Sequence, residues 1–327
     1  MSIRSSIFSM ASNRFFNSIK VVLSITAVLF FCLVPSMSWA CACGCGIYEV
    51  GTASLFPAGM GGTVWVEYDY LDQYLNWHAT QIASANHNND KVLRSHFITL
   101  GGQYMFNRSW GVMVEVPYTV RYFKSADEDT GAIGRFNHGN FGDVRVSGMY
   151  TGLSEDMSTG LSLGLKLPSG DYTYPHFDRD TEIGTGSTDI DFGAYHLGTL
   201  PWTFKERPFN WFVQGYYQLP VFTQGGYKPG REFDGALGAY YNIGKVAFLK
   251  ELAPMLTLLG TDRVRDSLSQ ADPRNTGYDR IFIAPGAEVR LGILRIYGDV
   301  EVPVFQNMNG NQITPAVTYK TVVSYDF

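Results

Sequence analysis

The chain has 327 residues, 45% of them hydrophobic and 15% aromatic, with 25 basic against 30 acidic residues and a net charge of −5. That balance excludes a basic nucleic-acid surface, so no nucleic acid is expected as a partner. Its four cysteines all fall within the first 45 residues, which excludes a disulfide framework through a fold of this size.

The first forty residues read as an export signal. Arg4, Arg14 and Lys20 come without an acid, the apolar run VVLSITAVLFFCLV fills 21–34, and Ser38-Trp39-Ala40 places small residues where signal peptidase reads. The run is short for a spanning helix. Cleavage after Ala40 removes three bases and leaves 22 basic against 30 acidic residues, a charge of −8. The expected organisation is a signal peptide over 1–40, a Cys-rich periplasmic leader over 41–60 and a β-barrel over 61–327.

Past residue 60 the dominant period is two. Val64, Val66, Tyr68 and Tyr70 alternate with Trp65, Glu67 and Asp69. Val112, Val114, Val116, Tyr118 and Val120 alternate with Met113, Glu115, Thr119 and Arg121. Leu161, Leu163, Leu165 and Leu167 alternate with Ser162, Gly164 and Lys166. One face of each segment is apolar and the other polar, the pattern of a strand with two different environments. Such segments fall near 62–74, 93–106, 109–123, 141–153, 157–168, 187–199, 208–222, 232–244, 252–262, 278–290, 292–304 and 314–327. Most have about ten residues or more, enough for a tilted strand to cross a bilayer. Soluble strands run to roughly five or six.

The connections alternate in length. Long polar stretches at 75–92, 124–140, 168–187, 223–231 and 262–277 are separated by tighter ones around 106–108, 153–157 and 290–292, with a final loop at 305–313. Short periplasmic turns and long outer loops are the habit of outer-membrane barrels. The expected fold is therefore all-β, a transmembrane antiparallel outer-membrane β-barrel of about twelve strands. An even count leaves the leader and the C-terminus in the periplasm. The ending KTVVSYDF closes on an aromatic, Phe327, which resembles the sorting signal that barrel-assembly machinery reads. The abundant Tyr, Phe and Trp suit interfacial girdles against outer-membrane lipids and lipopolysaccharide.

If the apolar parity faces lipid, the other lines the lumen. It carries Glu67, Asp69, Glu115, Arg121, Asp143, Arg145, Lys166, Asp189, Asp191, Arg280, Glu288, Arg290, Arg295, Asp299, Glu301 and Lys320. Charges inside a barrel need water or one another. A wet, mixed-sign pore and a narrow barrel zipped by salt bridges both satisfy that need. Trp65, Tyr195, Tyr216, Phe282 and Tyr297 share this face, either as surfaces for a ring-shaped solute or as filler.

Three motifs stand out: GDVRV at 142–146, LKLPSGD at 165–171 and GTGSTD at 184–189. Together they resemble the outer-membrane protein family of the meta-pathway of phenol degradation, with Ser169 where Thr is usual. The resemblance spans roughly the barrel and is sharp over strands four to six. It implies a β-barrel that helps apolar or aromatic compounds cross the outer membrane, and it brings no catalytic residues. Locally, Pro168 cannot donate to a ladder and ends a strand, and Gly170-Asp171 favours a turn. The loop between, YTYPHFDRDTEI, reads as a solvated outer loop, with acids able to share divalent cations with lipopolysaccharide.

Six histidines occur, of which His96 and His196 fall in strands on or near the apolar parity. No stretch joins them to a serine and an amide as in barrel phospholipases, so no enzyme is expected. CACGCG at 41–46 leaves four readings open. Cys41, Cys43 and Cys45 suit Cu(I) or Zn as alternating thiolates, or they oxidise variably with little consequence. A lipid anchor meets a poor lipobox, and a disulfide across so short a ring is strained. Beyond that cluster no cofactor is expected. The expected function is a passive channel or transporter for small compounds, aromatic or apolar among them. The alternative is a closed barrel displaying the CxCxC segment as a metal-binding or partner-docking tail.

Overall fold

The computed structural model describes residues 55–327 except Ala58 and Glu128. The expected signal peptide and most of the expected leader, Cys41, Cys43 and Cys45 included, lie outside the described residues. The chain forms one antiparallel sheet of β1 (Gly61–Ala79), β2 (Gln81–Ile82), β3 (Asp90–Met105), β4 (Trp110–Ala126), β5 (Ile133–Phe141), β6 (Arg145–Tyr150), β7 (Thr159–Lys166), β8 (Ser187–Phe204), β9 (Arg207–Thr223), β10 (Glu232–Tyr241), β11 (Glu251–Arg263), β12 (Tyr278–Leu291) and β13 (Leu294–Asp326). Pairing of β13 with β1 closes the sheet into a barrel of eleven strands, with β2 attached to β1 and β5 to β4.

β13 has 33 residues, which at about 3.3 Å each would run to roughly 110 Å if straight. It is doubled instead. Its first arm pairs with β12 from Leu294 to Met308, and its second pairs with β1 from Asn311 to Asp326. Arg295 in the first arm reaches Asp326 in the second at 2.5 Å. The reversal falls at Asn309–Gly310, where Gly310 adopts φ 73°, a left-handed conformation natural to glycine. Counting both arms, twelve staves surround the lumen.

Two expected loops are corrected. The stretch 305–313 is almost wholly strand, and 124–140 shrinks to a short turn followed by β5. β5 and β6 lie end to end along β4, from Ala126↔Ile133 to Tyr118↔Phe141 and then from Glu115↔Arg145 to Trp110↔Tyr150. They form one stave, broken at Gly142–Val144, within the GDVRV motif.

The barrel is inside out relative to a soluble protein. Leu161, Leu163 and Leu165 are exposed, Leu163 at 57%, while Lys166 is 2% exposed and Asp189 is fully buried. Apolar side chains outside and charged ones within follow from the period of two once the sheet closes. Connections of differing length gather at opposite ends. The short-turn end holds 106–109, 151–158 and the two-residue turn Lys205-Glu206, both of whose residues have positive φ as a tight hairpin requires. The long-loop end holds 167–186 and 264–277. Gly61 and Phe327 meet at the short-turn end, where Gly62 and Phe327 exchange backbone hydrogen bonds of 2.9 Å.

Candidate functional site

The lumen is built in three tiers. At the long-loop end a vestibule of about 790 Å³ is framed by the loop 167–186, by Asn89-Asp90 and Ser125–Asp127, and by Ser269–Asp272. A middle chamber of about 150 Å³ is ringed by Glu67, Glu115, Arg121, Asp143, Arg145, Lys166 and Arg263. A lower chamber of about 100 Å³ lies among Phe56, Trp65, Met113, Tyr195 and Tyr216, and shares Glu67 and Glu115 with the middle one.

The middle tier is held by paired charges. Lys166 Nζ sits 3.0 Å from Asp143 and 2.9 Å from Asp189, because β7 registers Lys166 against Arg145 on one side and Asp189 on the other. Asp143 also accepts from the Gly170 and Thr185 backbone N–H groups at 3.0 Å each, tying both ends of the 167–186 loop to the barrel wall. The LKLPSGD and GTGSTD motifs thus meet on one carboxylate. Gly170 and Gly184 touch here, so that a Cβ on Gly184 would lie 2.4 Å from the Gly170 carbonyl carbon. Arg145 reaches Asp191 at 3.7 Å and Gln218 at 3.0 Å. A further cation that the sequence reading passed over, Arg263, lies 2.9 Å from Asp266 and 3.7 Å from Glu232. It stands one residue past the expected strand end, and its parity with Thr257 and Thr261 was the available signal.

Lys320 anchors a second cluster, 3.4 Å from Glu67 and 3.8 Å from Asp69. Glu301 is buried beside it, and Asp299 accepts from the Tyr297 hydroxyl at 2.5 Å. Arg280 lies over the rings of Tyr278 and Phe282, at 3.9 and 5.6 Å. Glu115 and Glu288 are half-buried. Arg290 is exposed, while Arg295 pairs with Asp326, both near the short-turn end. Of the sixteen residues read as lumen-lining, the structure thus gathers most into two clusters and leaves Glu288, Arg290 and Arg295 outside both.

The lower tier is packed largely with apolar side chains. Phe56, Trp65, Phe212, Met255, Leu259, Phe282 and Tyr297 form a core inside the barrel. Phe56 belongs to the segment preceding β1. It stacks on Tyr195 at 4.4 Å and meets Phe212 edge-on at 5.9 Å, while Gln103 donates to the Leu55 carbonyl at 2.9 Å. Bulky rings fit because glycines face them: a Cβ on Gly101 would lie 2.0 Å from the Trp65 indole, and one on Gly238 2.0 Å from the Phe212 ring. Of the aromatics that the sequence left between solute surface and filler, Trp65, Phe282 and Tyr297 pack as filler.

The vestibule loop turns inward instead of projecting into solvent, which corrects the reading of YTYPHFDRDTEI. Tyr174 stacks on His138 at 3.8 Å, His176 on Phe136 at 4.5 Å, and Phe177 meets Phe123 at 5.2 Å. His138 also reaches Asp171 at 3.1 Å. Beneath the loop, Arg121 donates to the carbonyls of Thr181 and Glu182. Burial, then the charge of Asp171, pushes the Glu182 carboxyl up to about 8 against the pull of Arg179 and Arg121. The aromatic layer covers the inner face of β5, whose strand partner among the described residues is β4 alone, and the Tyr174 hydroxyl donates to the Asn137 carbonyl at 3.4 Å. The next stave, β7, ends at Lys166 opposite Arg145 and pairs with β6, not with β5.

On the outer face His96 Nδ1 lies 2.9 Å from the Tyr68 hydroxyl and His196 Nδ1 2.7 Å from Thr159 Oγ1. Neither set reproduces a Ser-His-carboxylate arrangement.

A closed antiparallel barrel, apolar outside, charged within and obstructed at both ends by its own chain, has the architecture of an outer-membrane β-barrel. Among solved structures it is similar to the COG4313 outer-membrane channel from Pseudomonas putida F1, at a TM-score of 0.58 and 14% identity, over 85% of this chain and 100% of that one. It is also similar to the transport unit of the autotransporter AIDA-I from Escherichia coli (TM-score 0.49, 12% identity, 85% and 94% covered) and to the CymD monoaromatic hydrocarbon channel (0.42, 10%, 87% and 95%). At such identity the first likeness establishes the fold, and the other two carry no argument beyond it. No family model matches the chain, and no curated protein does. The resemblance of the 142–189 motifs therefore stays a resemblance.

Proposed function

We propose that the chain is a passive outer-membrane channel for small compounds, aromatic or apolar among them, with leader and C-terminus in the periplasm and the long-loop end outside. The observation that carries this is the series of three chambers within one barrel, the middle and lower ones sharing Glu67 and Glu115, with two short pieces of chain, the loop 167–186 at the vestibule and the segment at Phe56 in the lower chamber, standing in the lumen. Side chains that fill a lumen from a loop and a terminal segment can leave it without breaking the barrel, whereas inward strand residues cannot. Solute entering the vestibule meets the rings of Tyr174 and Phe177, and the edge of β5 that pairs with no strand among the described residues offers a route from the lipid side. The COG4313 protein, by its name an outer-membrane channel, supports the same reading.

Phe327 is 62% exposed, and its ring lies 6.5 Å from Tyr104. That leaves the terminal aromatic available to assembly machinery and to interfacial lipid. The decisive experiment is uptake of a small aromatic solute into liposomes holding the purified protein. Flux that rises when Phe56→Ala removes the lower obstruction supports a channel. No flux in either protein, with both folded, refutes it.

The filled lower tier favours a second reading, a barrel that stays closed and presents Cys41, Cys43 and Cys45 to a soft metal. Absent flux together with stoichiometric Cu(I) or Zn on those thiols would select it.

A further inference from the structure

The vestibule is chemically one-sided. Asp90, Asp127, Asp178, Asp180, Glu182 and Asp272 set six carboxylates around it, opposed by the guanidinium of Arg179. That guanidinium is already committed. It donates to the Tyr172 carbonyl and, at 3.2 Å, to that of Thr185, and it lies between the rings of Tyr172 and Tyr227 at 4.8 and 4.9 Å.

Several of the acids serve the loops that carry them. Asp127 accepts from Thr130, and Asp272 accepts from the Arg274 backbone at 3.0 Å and from Asn275 at 2.7 Å. Glu182 differs. It is 5% exposed, lines the vestibule, and its Oε2 accepts no hydrogen bond from the described residues. A buried carboxylate oxygen left so is costly unless something supplies a donor.

Two further facts define the donor. Among the described residues no three His, Cys, Asp or Glu groups converge on a metal-sized point, so the negative charge is spread over a volume and not focused on an ion. The cavity is also walled by the rings of Tyr172, Tyr174, Phe177 and Tyr227. Ring faces attract ammonium groups, and the cavity lies in the size range of small-molecule sites. We propose that the vestibule binds a small organic cation, an aromatic or alkyl ammonium, with its head on Glu182 and its apolar body against Tyr174 and Phe177. This names a substrate class for the proposed channel and rests on that reading.

The proton balance of Glu182 gives the site a signature. Burial holds its carboxyl up at about 8, with Asp171 raising it further, Arg179 and Arg121 lowering it, and the Tyr174 backbone N–H donating to it. Asp90, Asp127, His176, Asp178, Asp180 and Asp272 face the same cavity. A cation binding against Glu182 below that pH must displace a proton, so affinity rises with pH through neutrality and levels off above about 8.

The test is calorimetric titration of the purified full chain in detergent with benzylammonium, benzyl alcohol and benzoate, which share a ring and differ in the head. Benzylammonium is expected to bind about tenfold tighter than the alcohol, with benzoate weakest. The cation's affinity should climb between about pH 6.5 and 8. Glu182→Gln should erase most of the preference for the amine. Equal affinities for amine and alcohol, or a preference unchanged in Glu182→Gln, would overturn the proposal. If that variant does not fold, the pH titration of the unaltered protein decides, and a flat profile overturns it. Binding is read here without a membrane, so the two readings fail separately. A cation site without flux removes the channel, and flux without cation preference removes the site.

Discussion

Replacing Phe56 by Ala should open the short-turn end of the lumen. Phe56 is 8% exposed, and the described contacts that seat its segment are few: the stack on Tyr195, the edge contact with Phe212 and the Gln103 hydrogen bond to Leu55. Burying a phenyl side chain contributes about 2 kcal/mol, and an aromatic pair adds about 1 kcal/mol. Removing both takes about 3 kcal/mol from the seated state, and at 1.4 kcal/mol per decade the ratio of unseated to seated segment rises roughly a hundredfold. Single-channel recording of the refolded protein in a planar bilayer reads this directly. Phe56→Ala should lengthen open dwell times, and Phe56→Tyr, which keeps a ring, should stay close to the unaltered protein. The hydroxyl would need a partner in that core, so a modest effect of Tyr is tolerable. Identical conductance and dwell times in Phe56→Ala would refute the assignment of this segment as an obstruction.

Gly101→Ala should destabilise the barrel by about 1–3 kcal/mol, read in denaturant unfolding, because the new Cβ would stand 2.0 Å from the Trp65 indole. Lys166→Met should cost about 3–5 kcal/mol in the same assay, since it strands Asp143 and Asp189 as buried carboxylates without their shared cation. Seating the 167–186 loop raises the Glu182 carboxyl from its ordinary 4.5 to about 8. The seated loop is therefore most stable below pH 4.5 and loses stability as pH rises towards 8, with no further loss above. Closed dwell times should shorten over that window and Glu182→Gln should flatten the trend; a trend of opposite sign would refute it. If the leader thiols hold Cu(I) or Zn, native mass spectrometry under reducing conditions should show one metal per chain, lost on Cys→Ser change at 41, 43 and 45.

The lumen was legible wherever a stave crosses the apolar belt, because there the two faces meet opposite environments. Lys166 between Leu165 and Leu167 could be placed inward without any structure. The rule fails where both faces are polar or both are covered. β5, read as loop, has the sequence IGRFNHGNF. Its outward residues run Ile133, Arg135, Asn137, Gly139 and Phe141, while its inner face carries Phe136 and His138 under the loop's aromatic layer. No period of two in hydrophobicity survives. The same applies at 305–313, where QNMNGNQ continues the two arms of β13. The Phe56 segment was invisible for another reason: three residues have no period, and an apolar triplet before a strand says nothing about which side of the sheet it enters. The inward fold of 167–186 depends on Asp143 meeting Gly170 and Thr185, a convergence of distant chain that spacing alone does not reveal.

Lys320 offers the sharpest test of whether the lumen is held by its charges. It registers opposite Asp69 on β1, so both side chains point inward at one level, and the period of two brings Glu67 onto the same face. Glu301, on the other arm of β13, is 1% exposed, and Asp299 lies close by. Four carboxylates thus gather around one ammonium. Lys320→Met removes the charge that offsets their mutual repulsion and leaves Asp69, itself 1% exposed, without its ion pair. Breaking a buried pair from one side typically costs about 3–5 kcal/mol, whereas removing both partners costs far less. Asp69→Asn placed on Lys320→Met should therefore recover part of the stability, and the double-mutant cycle should give a coupling of about 1 kcal/mol or more. Lys320→Met as stable as the parent chain would mean that water, and not Lys320, balances these acids, and that the lumen at this level is wet enough to conduct.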